Sequence, residues 1–298
     1  MTTASPARRT ALVLSAGGSW GAIQVGMLHA LVEAGVRWDL IVGSSAGALN
    51  GAFLATGQHA DALPALTAAW GDADHARLFW PAPVHGLGAL LGTRDAVFRA
   101  GPLSRWIKRH LTFDRLERAA QPLHIVATDL QTGDEVLLSE GPALEALLAS
   151  SAIPGLFPPV EIGGRVLVDG AIGAYTPVHA AVRLGATELI VLTTNVVGGV
   201  TERPRGALNI SLQAINLVML GQLRCDLQVL VSEASDVTVR LPPPPVRMPG
   251  FSGDFSHSEA LIADALGSTR AWIAAGGLSE DGSAAAVLDR SFGARAPG

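Results

Sequence analysis

The sequence predicts an α/β fold built around a largely parallel sheet, and three observations carry that prediction. Short apolar runs of strand type alternate with longer stretches of helical periodicity. Clusters of glycine sit where a strand-type run passes straight into a helical one. The composition, 49% hydrophobic and 16% charged over 298 residues, supports a substantial core and argues against disorder.

Taken in order, the strand-type runs are Ala11–Leu14, Leu40–Val42, Leu123–Ala127, Glu135–Leu138, Arg165–Val168, Glu188–Thr193 and Asp236–Val239. Helical periodicity covers Ala22–Ala34, Ala46–Thr56, Ala60–Trp70, Leu103–His110, Ala143–Ser150, Val178–Leu184, Ala207–Ala234 and Ser258–Ala275. No internal repeat and no convincing linker interrupts this alternation, so residues 1–298 read as one domain whose polar first ten residues are flexible. The segments 78–100 and 242–253, rich in Gly and Pro, read as long loops and candidate lids.

Several function classes recede at once. A formal charge of −5 argues against a nucleic-acid binder. The lone Cys225 excludes a disulfide framework and a cysteine-based metal site, and reads as a small semi-buried helical residue. His29, His59, His75, His85, His110, His124 and His179 are scattered without metal-ligand spacing. The amino-terminal segment fits neither a signal peptide nor a spanning helix, which makes a cytoplasmic protein the expectation. The high hydropathy leaves room for a surface that touches membrane lipid.

Two stretches carry chemistry. In "DLIVGSSAGALNGAFLA", Gly43-x-Ser45-x-Gly47 lies between a short apolar strand and an alanine-rich helix. A serine on such a turn has its hydroxyl pushed out at the sheet edge, and the flanking glycines let strand and helix pack closely behind it. In "LSAGGSWGAIQVGML", Gly17 and Gly18 open a helix where free backbone amides point outward. Oxyanion-hole donors of that kind are each worth about 3 to 4 kcal/mol in acyl transfer. The loop meets neither G-x-G-x-x-G nor a G-K-[ST] phosphate motif.

A nucleophilic serine needs a base. Asp169, in "GGRVLVDGAIG", follows an apolar strand, where parallel sheets place their chemistry outside the carboxyl ends. His257 would complete the chain order of an α/β-hydrolase triad, but only two strands precede Ser45. His257 also sits where a helix begins, with Ser256 or Ser258 as a cap, so a structural role is expected.

The glycine turn, the G-x-S-x-G elbow and the late Asp-Gly-Ala, in that order, resemble the patatin-like phospholipases. "ATDLQTGDEVLLSEG" (Ala127 to Gly141) and "ASSAIPGLFPPV" (Ala149 to Val160) are similar to recurrent stretches of that family. The resemblance runs from about Ala11 to Arg183 and, more weakly, to "FSHSEALI". It implies a three-layer sandwich with a mainly parallel central sheet. It also implies a Ser–Asp dyad of Ser45 and Asp169, and an oxyanion hole at Gly17, Gly18 and Ser19. Lipid acyl esters are the implied substrates, with no metal and no cofactor. Phospholipase A, lysophospholipase and carboxylesterase activities all fit. Acyl transfer, thioester hydrolysis and a catalytically reduced acyl-binding protein are the alternatives. This chain departs from the family's glycine loop at Ala16, which replaces the first glycine, and at Trp20, which replaces a basic residue. Ala171 and Thr176 are further departures. Trp20, Phe79 and Trp80 are the candidates to shape an acyl pocket. Ala207–Ala234 reads as core or oligomer contact.

Overall fold

The computed structural model of the chain describes residues 8–73, 94–194, 207–233, 236–245 and 254–292. The loop expectations for residues 78–93 and 246–253, with Phe79 and Trp80 among them, therefore lie outside the described residues.

Among the described residues the strands are β1 (Thr10–Leu14), β2 (Leu40–Ser44), β3 (Leu123–Asp129), β4 (Glu135–Leu138), β5 (Val160–Ile162), β6 (Arg165–Asp169), β7 (Glu188–Leu192) and β8 (Thr238–Arg240). Their hydrogen-bonded order is β5-β6-β3-β2-β1-β7-β8, with β4 also on β3. The β3-β2-β1-β7-β8 portion is parallel throughout, and β4, β5 and β6 join antiparallel.

Helices cover both faces: α1 (Gly21–Glu33), α2 (Ala46–Leu54), α3 (Leu63–Gly71), α4 (Ala100–His110), α5 (Ala143–Ser150), α6 (Ala171–Ala174), α7 (Val178–Arg183), α8 (Ala207–Ser232), α9 (Ser258–Ala274) and α10 (Ala284–Phe292). Strand side chains alternate between two cores, as the period of two requires. Leu12, Leu14, Ile41, Leu123, Ile125, Ile190 and Leu192 pack with α1 to α5 and α9. Ala11, Val13, Leu40, Val42, Val126, Leu189 and Val191 face the other way, onto α7, α8 and α10. The result is the three-layer arrangement that the resemblance implies. Helix α1 packs closely on α9, where a side chain on Gly26 would overlap the Ile262 carbonyl.

The structure corrects the sequence reading in four places. β5, α6 and α10 are elements the periodicity does not reveal, because each is short or lies in an Ala- and Gly-rich stretch. Arg165–Val168 is no part of a parallel ladder: β6 returns antiparallel from β5 through Gly163 and Gly164, both at positive φ (60° and 77°). A two-residue glycine turn between strand-type runs is the hairpin signal for this return. Cys225 is exposed rather than semi-buried. At the start of α9 the cap position belongs to His257, with no side-chain cap; Ser256 bonds Asp254, and Ser258 bonds the Phe255 carbonyl.

One detail of the sheet positions the site. Val126 of β3 pairs with Ser44 of β2 on one edge and with Leu137 of β4 on the other. The next residue, Ala127, pairs with Val136 of β4 and with Asp169 of β6. Since β4 occupies one edge of β3, β2 and β6 share the opposite edge and meet end to end. Their carboxyl ends converge at the Val126–Ala127 step, and each chain then turns away from the sheet.

Candidate active site

At that junction Ser45 Oγ donates a 2.7 Å hydrogen bond to Asp169 Oδ2. The two residues are 124 positions apart in sequence and both are buried. Ser45 occupies the elbow between β2 and α2 with φ 51° and ψ −117°; it is the non-glycine residue at positive φ among those described. Such a backbone costs of order 1 kcal/mol or more and persists where its surroundings over-determine it. The flanking glycines are required by contact. A side chain on Gly43 would meet the Gly47 carbonyl, and one on Gly47 would overlap the Leu14 carbonyl at the end of β1.

Asp169 accepts a second hydrogen bond at Oδ1 from the Ala171 amide, at 2.9 Å. Both partners are neutral. Burial therefore dominates and pushes the carboxyl up from its ordinary 3.8 to about 6, against the opposing pull of the Ser45 and Ala171 hydrogen bonds. Asp169 stands at the site for a different reason from the one its sequence context suggests. It arrives on an antiparallel strand that approaches the carboxyl end of β2 from the opposite direction, not at the end of a parallel one.

The glycine loop leaves β1 beside this pair. Gly18–Trp20 form one turn of 3-10 helix that leads directly into α1, with Gly17 at φ 160° and Gly18 at φ 57°. The first amides of such a turn have no partner within it. Gly17 lacks a side chain for a reason the sequence does not disclose: its Cβ would overlap Thr194, just beyond β7. The Thr194 hydroxyl donates to the Ala16 carbonyl at 2.6 Å and pairs with the Tyr175 hydroxyl at 2.7 Å. The Ala16 amide in turn donates to the Tyr175 carbonyl at 2.9 Å. Burial pushes the Tyr175 phenol up, so this hydroxyl stays protonated. Thr194 and Tyr175 thus brace the loop from the side opposite α1.

A second buried network ties the loop to the serine elbow. Gln24 on α1 donates to the Ser15 carbonyl at 2.8 Å and to the Leu192 carbonyl at 2.9 Å. Asn50 on α2 donates to the Gly21 carbonyl at 2.9 Å and to Gln24 Oε1 at 2.8 Å, and accepts from Trp70 Nε1 at 2.6 Å. Gln24 and Asn50 are fully buried. Satisfied networks of this kind rigidify the elements they join. Motif and spacing do not single out Gln24, Asn50, Thr194 or Tyr175; polar side chains inside otherwise apolar helices are the signal that points to the first two.

Other singled-out residues fall elsewhere. Trp20 is 4% exposed, lies in the larger apolar core, and its indole N–H has no hydrogen-bond partner. His257 is 43% exposed on its side chain, with Nε2 3.6 Å from Asp254. The remaining histidines that can be described bond away from Ser45 and Asp169: His29 to Thr67, His124 to Ser139, and His110 and His179 beside Asp72 and Asp226. Among the described residues no group of three or more His, Cys, Asp or Glu is placed to hold a metal ion. Nor is any described helix long and apolar enough to cross a membrane. A separate cleft of about 460 Å³ runs between α7 and α8, lined by Thr176, His179, Arg183, Gln222, Cys225 and Asp226.

Known proteins share this sequence pattern. An uncharacterized NTE family protein of Mycobacterium tuberculosis is 33% identical over 165 residues, 55% of this chain and 27% of that protein. Another from the same organism is 32% identical over 194 residues, 64% of this chain and 50% of that one. Patatin-like phospholipase domain-containing protein 6 of Mus musculus is 29% identical over 184 residues, 61% of this chain and 13% of the mouse protein. The chain thus spans half or less of the length of these curated relatives. The solved structure of VipD from Legionella pneumophila aligns only distantly, at 14% identity and a TM-score of 0.44 over 96% of this chain and 68% of that one. The model of patatin-like phospholipases matches residues 12–182, which include Ser45, Asp169 and the whole glycine loop, and the chain belongs to that family.

Proposed function

We propose that this protein is a serine acyl hydrolase that cleaves lipid acyl esters through an acyl-Ser45 intermediate, with Asp169 as its base. The observation that carries the reading is the 2.7 Å hydrogen bond from Ser45 Oγ to Asp169 Oδ2 inside a buried site. Family membership supports the substrate class.

Ser45 Oγ attacks the ester carbonyl while its proton passes to Asp169 Oδ2. The tetrahedral oxyanion is met by amides of the Gly17–Ser19 turn, which the bonds of Ala16 to Thr194 and Tyr175 anchor. Collapse expels the alcohol, which takes the proton from Asp169. Water then attacks the acyl-serine, giving its proton to Asp169, and the acid is released as Ser45 recovers the proton. The raised proton affinity of Asp169 suits both halves of this cycle: a carboxylate near 6 is a better base than one at 3.8, yet is ionised at neutral pH.

The test is turnover of a short p-nitrophenyl ester and of phospholipid by wild type and Ser45→Ala. The substitution should lower kcat by ~10⁴-fold or more, with the fold intact. A fluorophosphonate probe should label Ser45 in the wild type. Unchanged turnover in Ser45→Ala would remove the proposal.

A further inference from the structure

Ser150, the last residue of α5, is fully buried and stands outside the catalytic scheme above. Its hydroxyl accepts the Ser45 amide proton at 2.8 Å and donates to the Val126 carbonyl at 2.6 Å. Because an amide only donates and a carbonyl only accepts, the direction of both bonds is settled. In the β2–β3 ladder Ser44 is the last residue paired, with Val126. Beyond it the chain swings into the positive-φ elbow, and the Ser150 hydroxyl bridges the gap between Ser45 N–H and Val126 C=O.

The same short segment grips the other strand end. The Ser150 carbonyl accepts the Gly170 amide at 3.2 Å, and the Ala152 carbonyl accepts the Asp169 amide at 2.9 Å. Gly170 lacks a side chain because a Cβ would overlap the Val126 carbonyl and crowd Ser44 Oγ. Both halves of the Ser45–Asp169 pair are therefore hung on residues 150–152. We propose that Ser150 is a positioning residue, and that the Ser150–Ala152 turn is the template that holds nucleophile and carboxylate in register.

This rests on the hydrolase reading of the same site. It also assigns a role to the "ASSAIPG" stretch, which neither the elbow nor the aspartate turn explains. Without the hydroxyl, a buried donor at Ser45 and a buried acceptor at Val126 both lose their partner, and the elbow loses the bond that fixes its Ser45 amide. Displacements of about an ångström at a reacting group cost on the order of 100-fold in rate.

The experiment compares wild type, Ser150→Ala, Ser150→Thr and Ser150→Cys in ester hydrolysis and fluorophosphonate labelling, each normalised to folded protein. Ser150→Ala should lower kcat by about 10- to 100-fold with KM within about threefold, and Ser150→Thr, which keeps the hydroxyl, should recover most of the loss. The acid limb of the pH profile should move to higher pH in Ser150→Ala, because a loosened Ser45 hydroxyl no longer lowers the proton affinity of Asp169. A merely structural role would lower stability without moving that limb. Should Ser150→Ala not fold, Ser150→Cys, close in shape but a poor acceptor, takes its place: a rate below about a tenth of wild type supports the proposal. A full rate with an unmoved acid limb overturns it. If the wild type is itself inert to ester and probe, the hydrolase reading fails. The crystal structure of Ser150→Cys then decides the positioning role alone: an elbow and Ser45–Asp169 bond unchanged from wild type overturn it.

Discussion

Two buried carboxylates sit at opposite ends of the sheet and are treated in opposite ways. Glu188, 6% exposed, opens β7 at the amino end of the parallel strands. It accepts hydrogen bonds from Arg8 Nε at 2.7 Å and Thr10 Oγ1 at 3.1 Å, with Arg240 Nε 3.5 Å away. Asp169, 3% exposed, ends β6 at the carboxyl end of β2, and its partners are a hydroxyl and an amide. Glu188 has cations beside it, the largely exposed Arg8 and the more buried Arg240; Asp169 has none among its partners and holds its proton up to a pH of about 6. On the proposed function, the difference separates a carboxylate that joins parts of the fold from one kept reactive. Pairing offsets desolvation at the first, and at the second desolvation raises the proton affinity toward that of the proposed base.

Exchanging each carboxylate for its amide is the sharpest way to break this comparison. Asp169→Asn should lower kcat by roughly 10³- to 10⁴-fold, while Glu188→Gln should leave kcat within about twofold. Stability should run the other way. Glu188→Gln should cost about 1 kcal/mol, because the Arg8 side of the pair is largely exposed. Asp169→Asn should make the fold more stable at pH 8, as read by chemical denaturation. A destabilised Asp169→Asn with near-normal turnover would reverse the assignment of the two roles.

The pH dependence sharpens the same contrast. Between pH 3.8 and about 6 the folded protein keeps a proton on Asp169 that the unfolded chain has released. Its contribution to stability is therefore complete below that window and is lost as pH rises through it. The stability gap between Asp169→Asn and wild type should be small at pH 4 and grow to about 2 or 3 kcal/mol by pH 8. Activity should rise over the same range, with an acid limb in kcat/KM near 6. An acid limb near 4 would mean that burial does not tune this carboxylate.

The brace of the glycine loop should have a smaller effect. Thr194→Val keeps the shape that excludes a side chain from Gly17 but removes the bonds to Ala16 and Tyr175, and should lower kcat by about 10-fold. Smallest of all, His257→Ala should leave turnover within about twofold and stability within about 0.5 kcal/mol, because the ring is exposed at a helix start. A loss at His257 larger than that at Asp169 would replace the dyad with a triad.

Much of this is legible in the residues. Strand-type runs and helical periodicity locate most elements to within a few positions, because strands buried on both faces read as short unbroken apolar runs. Ser45, Asp169 and the Gly17–Ser19 turn stand out because a sharp strand-to-helix turn needs glycine around it. Less is legible where local pattern and long-range packing part company. The expectation of Asp169 at the carboxyl end of a parallel strand fails on the Gly163–Gly164 hairpin, and Gly17 is bare on account of Thr194, 177 positions away.

Local chemistry, then, names the groups proposed to react, since a G-x-S-x-G elbow and an amide-rich turn are each written within a dozen residues. Whether those groups act together depends on contacts that no local stretch encodes. Ser45 meets Asp169 because β2 and β6 share one edge of β3 and converge on it from opposite directions. The proton affinity of Asp169 follows from the same convergence, because burial without a neighbouring cation is a property of the assembled site and not of the aspartate.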